Sequence, residues 1–354
     1  MEEQKDMFGL LDLMIQPVFC VKDNIIIRAN PSARKMFLEA GQSIQPLLDA
    51  GADAYATFSG GCLYLPLTIA GQTMGASVRR MGEMDVFELD CSDDSSTLRA
   101  MALAAGILRK PLSGALANTA SLLETHDDPE TAQQLSQLNR ELHQILRQLG
   151  NMSDAESLCS RSRQETVNLT AFFREIFEKA QVLASRAGIQ LHYDGLKTAV
   201  YSLADKGQLE RAVLNILSNA MKFTPKGEHI DVSLVCRGRI LALSVQDSGC
   251  GIHQDVLGSL FQRYLRQPCI EDSRFGLGLG LRLVHAAALH HGGTLLLTQS
   301  ETGGTRVVLT LAIRQNPSAT MRSPIFEIDY TGGIDHSLVE LSDCLPAELF
   351  DGCY

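Results

Sequence analysis

The sequence predicts a multidomain α+β protein: a small mixed α/β unit, an antiparallel helical hairpin and an α/β two-layer sandwich, closed by an acidic amphipathic extension. Three observations predict it. Short β-prone runs punctuated by glycine fill residues 8–90. Apolar residues then recur every three or four positions on both sides of His126-Asp127-Asp128-Pro129. Beyond residue 165, helical periodicity gives way to alternating strands. A chain of 354 residues is also too long for one typical domain. The expected bounds are 1–92, 95–150, 165–314 and 315–354.

In the first unit, Val18-Phe19-Cys20-Val21 is β-prone and ends at the turn-like Lys22-Asp23-Asn24, and Ile25-Ile26-Ile27 returns. Pro31 opens a helix expected to run to Ala40 and stop at Gly41. Cys62–Leu67 and Gly75–Arg79 supply further strands, and Glu88–Asp94 reads as a boundary. Phe8, Phe19, Phe37 and Phe58 read as ordinary core residues.

In the hairpin, Met101, Ala105, Leu108, Leu112, Ala115, Thr119 and Leu122 mark one stripe, and Leu135, Leu138, Leu142, Ile145 and Leu149 the other. One hairpin leaves a side of such a seam uncovered. A second copy would complete a dimeric four-helix bundle; packing on the flanking domains is the alternative.

The third segment begins with a helix around Phe172–Ala184 and the short strand Gly188–His192. Asp205, with Gln208 three positions on, caps a helix whose buried stripe is Leu209, Val213, Leu217 and Ala220. Ile230–Leu234, Leu241–Val245, Leu295–Leu297 and Val307–Leu311 alternate as strands do.

Composition narrows the function. A net charge of -10, from 31 basic against 41 acidic residues, argues against a general nucleic-acid or anionic-membrane binder. No stretch approaches the roughly 18 consecutive apolar residues of a membrane span, and the acidic N-terminus is a poor secretion signal. Nine cysteines without a CxxC pair fit reduced thiols. Cytoplasmic residence is the expectation.

Three clusters carry chemistry. Asn215, Asn219 and Lys222 share a helix face, where amide oxygens suit a hard divalent ion and an ammonium suits phosphate. Asp247-Ser-Gly249-Cys-Gly251 follows a strand, placing a carboxylate at a bend where backbone can approach a planar ligand. Gly276-Leu-Gly278-Leu-Gly280 precedes a helix and offers free N–H groups to phosphate. It lacks the lysine of a Walker loop and the spacing of a dinucleotide fingerprint.

In order and context, these clusters resemble the ATP-binding domain of bacterial sensor histidine kinases. Asn215–Pro225 resembles the family's N box, Asp247–Gly251 and Gly276–Gly280 its glycine boxes, and Phe261–Arg266 the phenylalanine box. The helical hairpin resembles the family's dimerisation and phosphotransfer domain. The Val18–Asn30 segment resembles a PAS-type sensory domain. The resemblance implies ATP and Mg²⁺ as cofactors. Asn219, with Asn215, would hold the metal; Lys222 would neutralise phosphates; Asp247 would bind the adenine amino group. Gly249 and Gly251 would admit the base, with Thr305 nearby; Gly276, Gly278 and Gly280 would shape the lid; Arg263 or Arg266 would reach the γ-phosphate. A homodimer and a response-regulator receiver domain are the implied partners.

The departure lies in the phosphoacceptor box. Gly106-Ile-Leu-Arg-Lys-Pro-Leu112 keeps its frame, but the histidine position holds Gly106 and the acid position Ile107. Glycine has no atom to phosphorylate, and isoleucine cannot move a proton. Two readings follow: a kinase of this family that lacks ordinary autophosphorylation, or an inactive nucleotide-gated scaffold. His126 and His143 read as solvent-facing, phosphorylation of either through a distorted geometry being the alternative, and His291 as part of the turn ending the helix after the lid. Residues 319–354 hold seven acidic side chains and one basic, with many apolar ones, so the tail is expected to fold back or cover a partner surface.

Overall fold

The computed structural model describes residues 11–48, 51–90, 95–125, 128–157, 164–252, 279–300, 303–314 and 335–350. Its frame is one ten-stranded sheet that runs through two units.

The N-terminal unit opens with β1 (Val18–Lys22) and β2 (Ile25–Ala29), paired antiparallel. Asp23 and Asn24 lie at φ 52° and 62°, the left-handed pair that a tight hairpin turn needs. Helix α1 covers only Pro31–Arg34, shorter than its sequence suggests. Phe37 at φ 64° turns the chain out of the helix, and its ring is exposed rather than in the core. Phe19 and Phe58 are buried as expected; Phe8 lies outside the described residues. Asn30 caps α1, accepting N–H groups from Ala33 at 2.8 Å and Val18 at 3.1 Å. After α2 (Ala52–Ala56) come β3 (Cys62–Ile69), β4 (Gln72–Met81) and β5 (Met84–Leu89). The supposed boundary at Glu88 is thus partly strand, with Glu88 buried and paired to Arg79 at 3.4 Å.

The hairpin consists of α3 (Ser95–Thr125) and α4 (Pro129–Ser157). Its buried row differs from the expected stripe. On α4, Leu138 and Ile145 are exposed, while Ser136, Asn139, His143, Leu146, Arg147 and Asn151 are buried. On α3, Leu108 and Leu122 are exposed, while Ala102, Ala105, Leu116 and Thr119 are buried. Among the described residues, no helix is long and apolar enough to cross a membrane.

The C-terminal unit has β6 (Glu165–Asn168) paired with β8 (Tyr201–Ala204) as a separate ribbon. Helices α5 (Leu169–Arg186), α6 (Lys206–Phe223) and α7 (Leu279–His290) join β7 (Gln190–Asp194), β9 (His229–Arg237), β10 (Ile240–Asp247), β11 (Leu295–Gln299) and β12 (Thr305–Ala312). The sheet order is β2-β1-β5-β4-β3-β11-β12-β10-β9-β7, and among the described strands only β7–β9 pair in parallel. The two units meet where Tyr64 pairs with Leu295, Leu63 with Leu296 and Cys62 with Leu297. Each unit thereby covers an edge strand of the other. Tyr64 also stacks on His285 of α7, with ring centroids 4.0 Å apart. Burial, helped by the nearby Arg282 charge, pushes His285 down to about 3, so it is neutral in this seam.

The tail does fold back. Helix α8 (His336–Leu341) and a 3₁₀ turn at Ala347–Phe350 lie against α6 and α4. Leu338, Leu341, Leu345 and Phe350 join the main core of the C-terminal unit.

Candidate nucleotide site

Helix α6 starts where Asp205 accepts the Gln208 N–H at 3.1 Å. That cap is tied to the far turn of α7. The Asp205 N–H donates to His291 Nε2 at 3.0 Å, while His291 Nδ1 donates to the Ala287 carbonyl at 2.7 Å. One ring nitrogen donates and the other accepts, which fixes a neutral tautomer, and burial lowers the His291 proton affinity accordingly. Gly293 completes the turn, because a Cβ there would lie 1.7 Å from the Thr310 carbonyl oxygen.

The expected stripe Leu209, Val213, Leu217 and Ala220 is buried, but so is most of the helix. Asn215 is covered: its Nδ2 donates to the Arg211 carbonyl at 2.9 Å, and its Oδ1 lies 2.4 Å from where a Gly280 Cβ would sit. Only glycine at 280 lets α7 come this close. Asn219, one turn on, is exposed. Lys222 is nearly buried, and its Nζ lies 3.5 Å from Asp343 of the tail.

The other end of the site is built around Asp247, the last residue of β10. Its Oδ1 accepts the Gly249 N–H at 2.9 Å and the Thr305 N–H at 3.0 Å. Burial nonetheless raises the Asp247 carboxyl above its ordinary value, these backbone bonds pulling against the rise. Glycines make the geometry possible. A Cβ on Gly249 would lie 2.3 Å from the Phe223 carbonyl oxygen, and one on Gly304, at φ 78°, 2.0 Å from that of Asp247. Gly251, at φ 72°, sits against Gly304. The structure therefore brings Asp247, Gly249, Gly251 and Thr305 together at the end of α6. Arg263, Arg266, Gly276 and Gly278 lie outside the described residues.

At the segment that resembles an acceptor box, Gly106 and Ile107 are exposed on α3, and a Cβ at Gly106 would meet nothing within 4 Å. His143 corrects the expectation of a solvent-facing residue: it is buried under the Phe350 ring, with centroids 4.9 Å apart. Its Nδ1 donates to the Asn139 carbonyl at 2.8 Å, and burial lowers its proton affinity. His126 lies outside the described residues.

Sequence reasoning missed Arg147, Arg211, Glu340 and Asp343. Glu340 is fully buried, 3.5 Å from both Arg147 and Arg211, and Asp343 contacts Arg147 as well as Lys222. The signal available was the mixture of acids and apolar residues in the tail. Among the described residues, no group of three or more His, Cys, Asp or Glu side chains is placed to hold a metal.

Comparison with known proteins finds relatives of this part of the chain. Residues 204–315 match the family described as histidine kinase-, DNA gyrase B- and HSP90-like ATPase. The chain is 27% identical over 307 residues to the sensor-like histidine kinase SenX3 of Mycolicibacterium smegmatis, covering 80% of this chain and 77% of that protein. It is 34% identical over 149 residues to the sensor histidine kinase CusS of Escherichia coli K12, covering 42% of this chain and 30% of that one. Full-length ShkA, crystallised with AMPPNP, aligns with 62% of this chain and 47% of its own at 22% identity and a TM-score of 0.48. Residues 204–315 are thus a sensor-histidine-kinase-type ATPase domain, in a chain homologous to bacterial sensor kinases.

Proposed function

We propose that this chain binds ATP with Mg²⁺ between Asp247 and the α6 face, as a homodimeric member of two-component signalling that does not autophosphorylate in the ordinary way. The observation carrying the ATP reading is the Asp247 cradle. One carboxylate oxygen is held by two backbone N–H groups, and the Thr305 hydroxyl also bonds the carboxylate, which orients it to accept from an exocyclic amino group. Gly249, Gly251 and Gly304 let backbone pack against it where a Cβ would clash. These residues suit a purine base. Asn219, exposed one turn before Lys222, is the amide available to Mg²⁺, with Asn215 behind it; Lys222 supplies the phosphate cation. Mg²⁺ would offset phosphate charge there.

Dimerisation is supported by the exposed row Leu103, Ile107, Leu108, Leu122, Leu138 and Ile145 along the hairpin. A receiver domain is the corresponding partner class. The acceptor position is open, exposed backbone at Gly106, which supports a nucleotide-gated scaffold over an ordinary kinase. Calorimetry with ATP and Mg²⁺ tests the reading. Binding that weakens on Asp247→Asn is expected; no heat up to millimolar nucleotide overturns it. Incubation with γ-labelled ATP separates the two classes. The scaffold reading expects no label, whereas acid-labile label lost on His143→Gln would establish an enzyme with an unusual acceptor.

A further inference from the structure

Residues 335–350 occupy a groove between α4 and α6, and they do so with paired chemistry rather than incidental contact. On the α4 side, Asn139 Nδ2 donates to the Phe350 carbonyl at 2.8 Å. Arg140 donates to the carbonyls of Ser342 and Asp343 at 3.3 and 3.4 Å, and Gln144 to that of Ser342 at 3.4 Å. Val339 packs with Leu116 and Leu146. On the α6 side, Cys344 Sγ lies 3.1 Å from the Ser218 carbonyl oxygen and 3.7 Å from its hydroxyl. Between them, Glu340 and Asp343 meet Arg147, Arg211 and Lys222.

We infer that this segment is an intramolecular competitor of nucleotide: the Asp343 carboxylate takes the place of phosphate oxygens on Lys222, and its docking ties the hairpin to the ATPase domain. The inference rests on the ATP reading above. Three features favour exchange at the polar contacts, against the burial of Leu338, Leu341, Leu345 and Phe350 that anchors the segment. Glu340 stands at 3.5 Å from both guanidinium groups, ion-pair range without hydrogen-bond contact, and buried pairs of that kind add little net stability. Asp343 brings one negative charge to Lys222, whereas a nucleoside triphosphate brings several and a metal ion with them. The segment is also part of the same chain, so it competes intramolecularly without being permanent. Nucleotide binding would therefore release 335–350 and uncover the polar face of α4, with Asn139, Arg140, Gln144 and Arg147 on it. That face would be a nucleotide-gated surface for an acidic partner segment resembling 335–350.

The test traps the docked state. Ser218→Cys in the full chain places a second thiol beside Cys344, and copper-phenanthroline oxidation should link them in the absence of nucleotide. A Cys344→Ser control should not link. Saturating ATP and Mg²⁺ should slow linkage about tenfold or more, as expected when the docked fraction falls by that factor. No linkage in the absence of nucleotide overturns the docking. An unchanged rate in a chain for which calorimetry records ATP binding overturns the competition and leaves the ATP reading standing. No calorimetric binding in either the parent chain or its Asp343→Asn variant, which removes the competing charge, overturns both.

Discussion

The two ends of the proposed nucleotide site are built differently. The Asp247 end is finished by backbone: two N–H groups on one carboxylate oxygen, with Gly249 and Gly304 admitting no side chain. The Lys222 end is finished by side chains from distant parts of the chain, Asp343 and Arg147 among them. Backbone bonds within a sheet and its adjoining turns are lost only when the domain unfolds. A side-chain ion pair can exchange for a ligand with the fold intact. On the proposed reading, the base end is preorganised and the phosphate end is exchangeable.

The largest expected effect breaks the preorganised end. Gly304→Ala forces a Cβ toward the Asp247 carbonyl at a left-handed φ, and should cost about 2–4 kcal/mol in urea denaturation while abolishing nucleotide binding. Asp247→Asn is more selective. Losing a charge-assisted bond should weaken ATP by roughly 1.5–3 kcal/mol, about tenfold to a hundredfold, in a calorimetric titration. The same variant should keep or raise the melting temperature without nucleotide, because burial already raises the Asp247 carboxyl and makes its ionised form the costly one. Paired measurement of affinity and stability would separate a binding carboxylate from a structural one.

A pH profile probes the seam behind the phosphate end. His285 falls from an ordinary 6.5 to about 3 on folding, so the unfolded chain takes up this proton first as pH drops. The stability it supports is present above pH 6.5 and is lost progressively toward pH 3, by about 1.4 kcal/mol per pH unit. His285→Phe keeps a ring against Tyr64 and should flatten the slope of urea-denaturation stability against pH. A residual slope should remain from His143 and His291, whose proton affinities shift in the same direction. The smallest effect belongs to the exposed Gly106 on α3. Gly106→Ala should stabilise the chain by about 0.5–1 kcal/mol, because a Cβ there meets nothing and helical glycine is entropically costly.

Much of the preorganised end was legible in the sequence. The Asp205–Gln208 cap, the strand running into Asp247 and the glycines after it are local patterns, and local patterns follow from residue order. The exchangeable end was not. A row of leucines on α4 announces an apolar face, but it does not say that Asn139, His143 and Arg147 will be buried instead. Those residues are buried because the tail brings carbonyls, carboxylates and the Phe350 ring to meet them. The β3–β11 seam was hidden for a similar reason: each strand reads as an ordinary edge until the other is placed beside it. The helix expected to reach Ala40 failed on one backbone angle, at Phe37, in a run with no glycine before Gly41 to mark the break.

The contrast between the two ends is tested most directly by titrating ATP and adenosine into the full chain and into its Asp343→Asn variant. Adenosine reads only the Asp247 end, whereas ATP reads both. Removing the Asp343 charge should strengthen ATP about tenfold, the worth of one charge-assisted contact, and leave adenosine unchanged. Equal strengthening of both ligands, or of neither, would contradict an exchangeable phosphate end held by the tail.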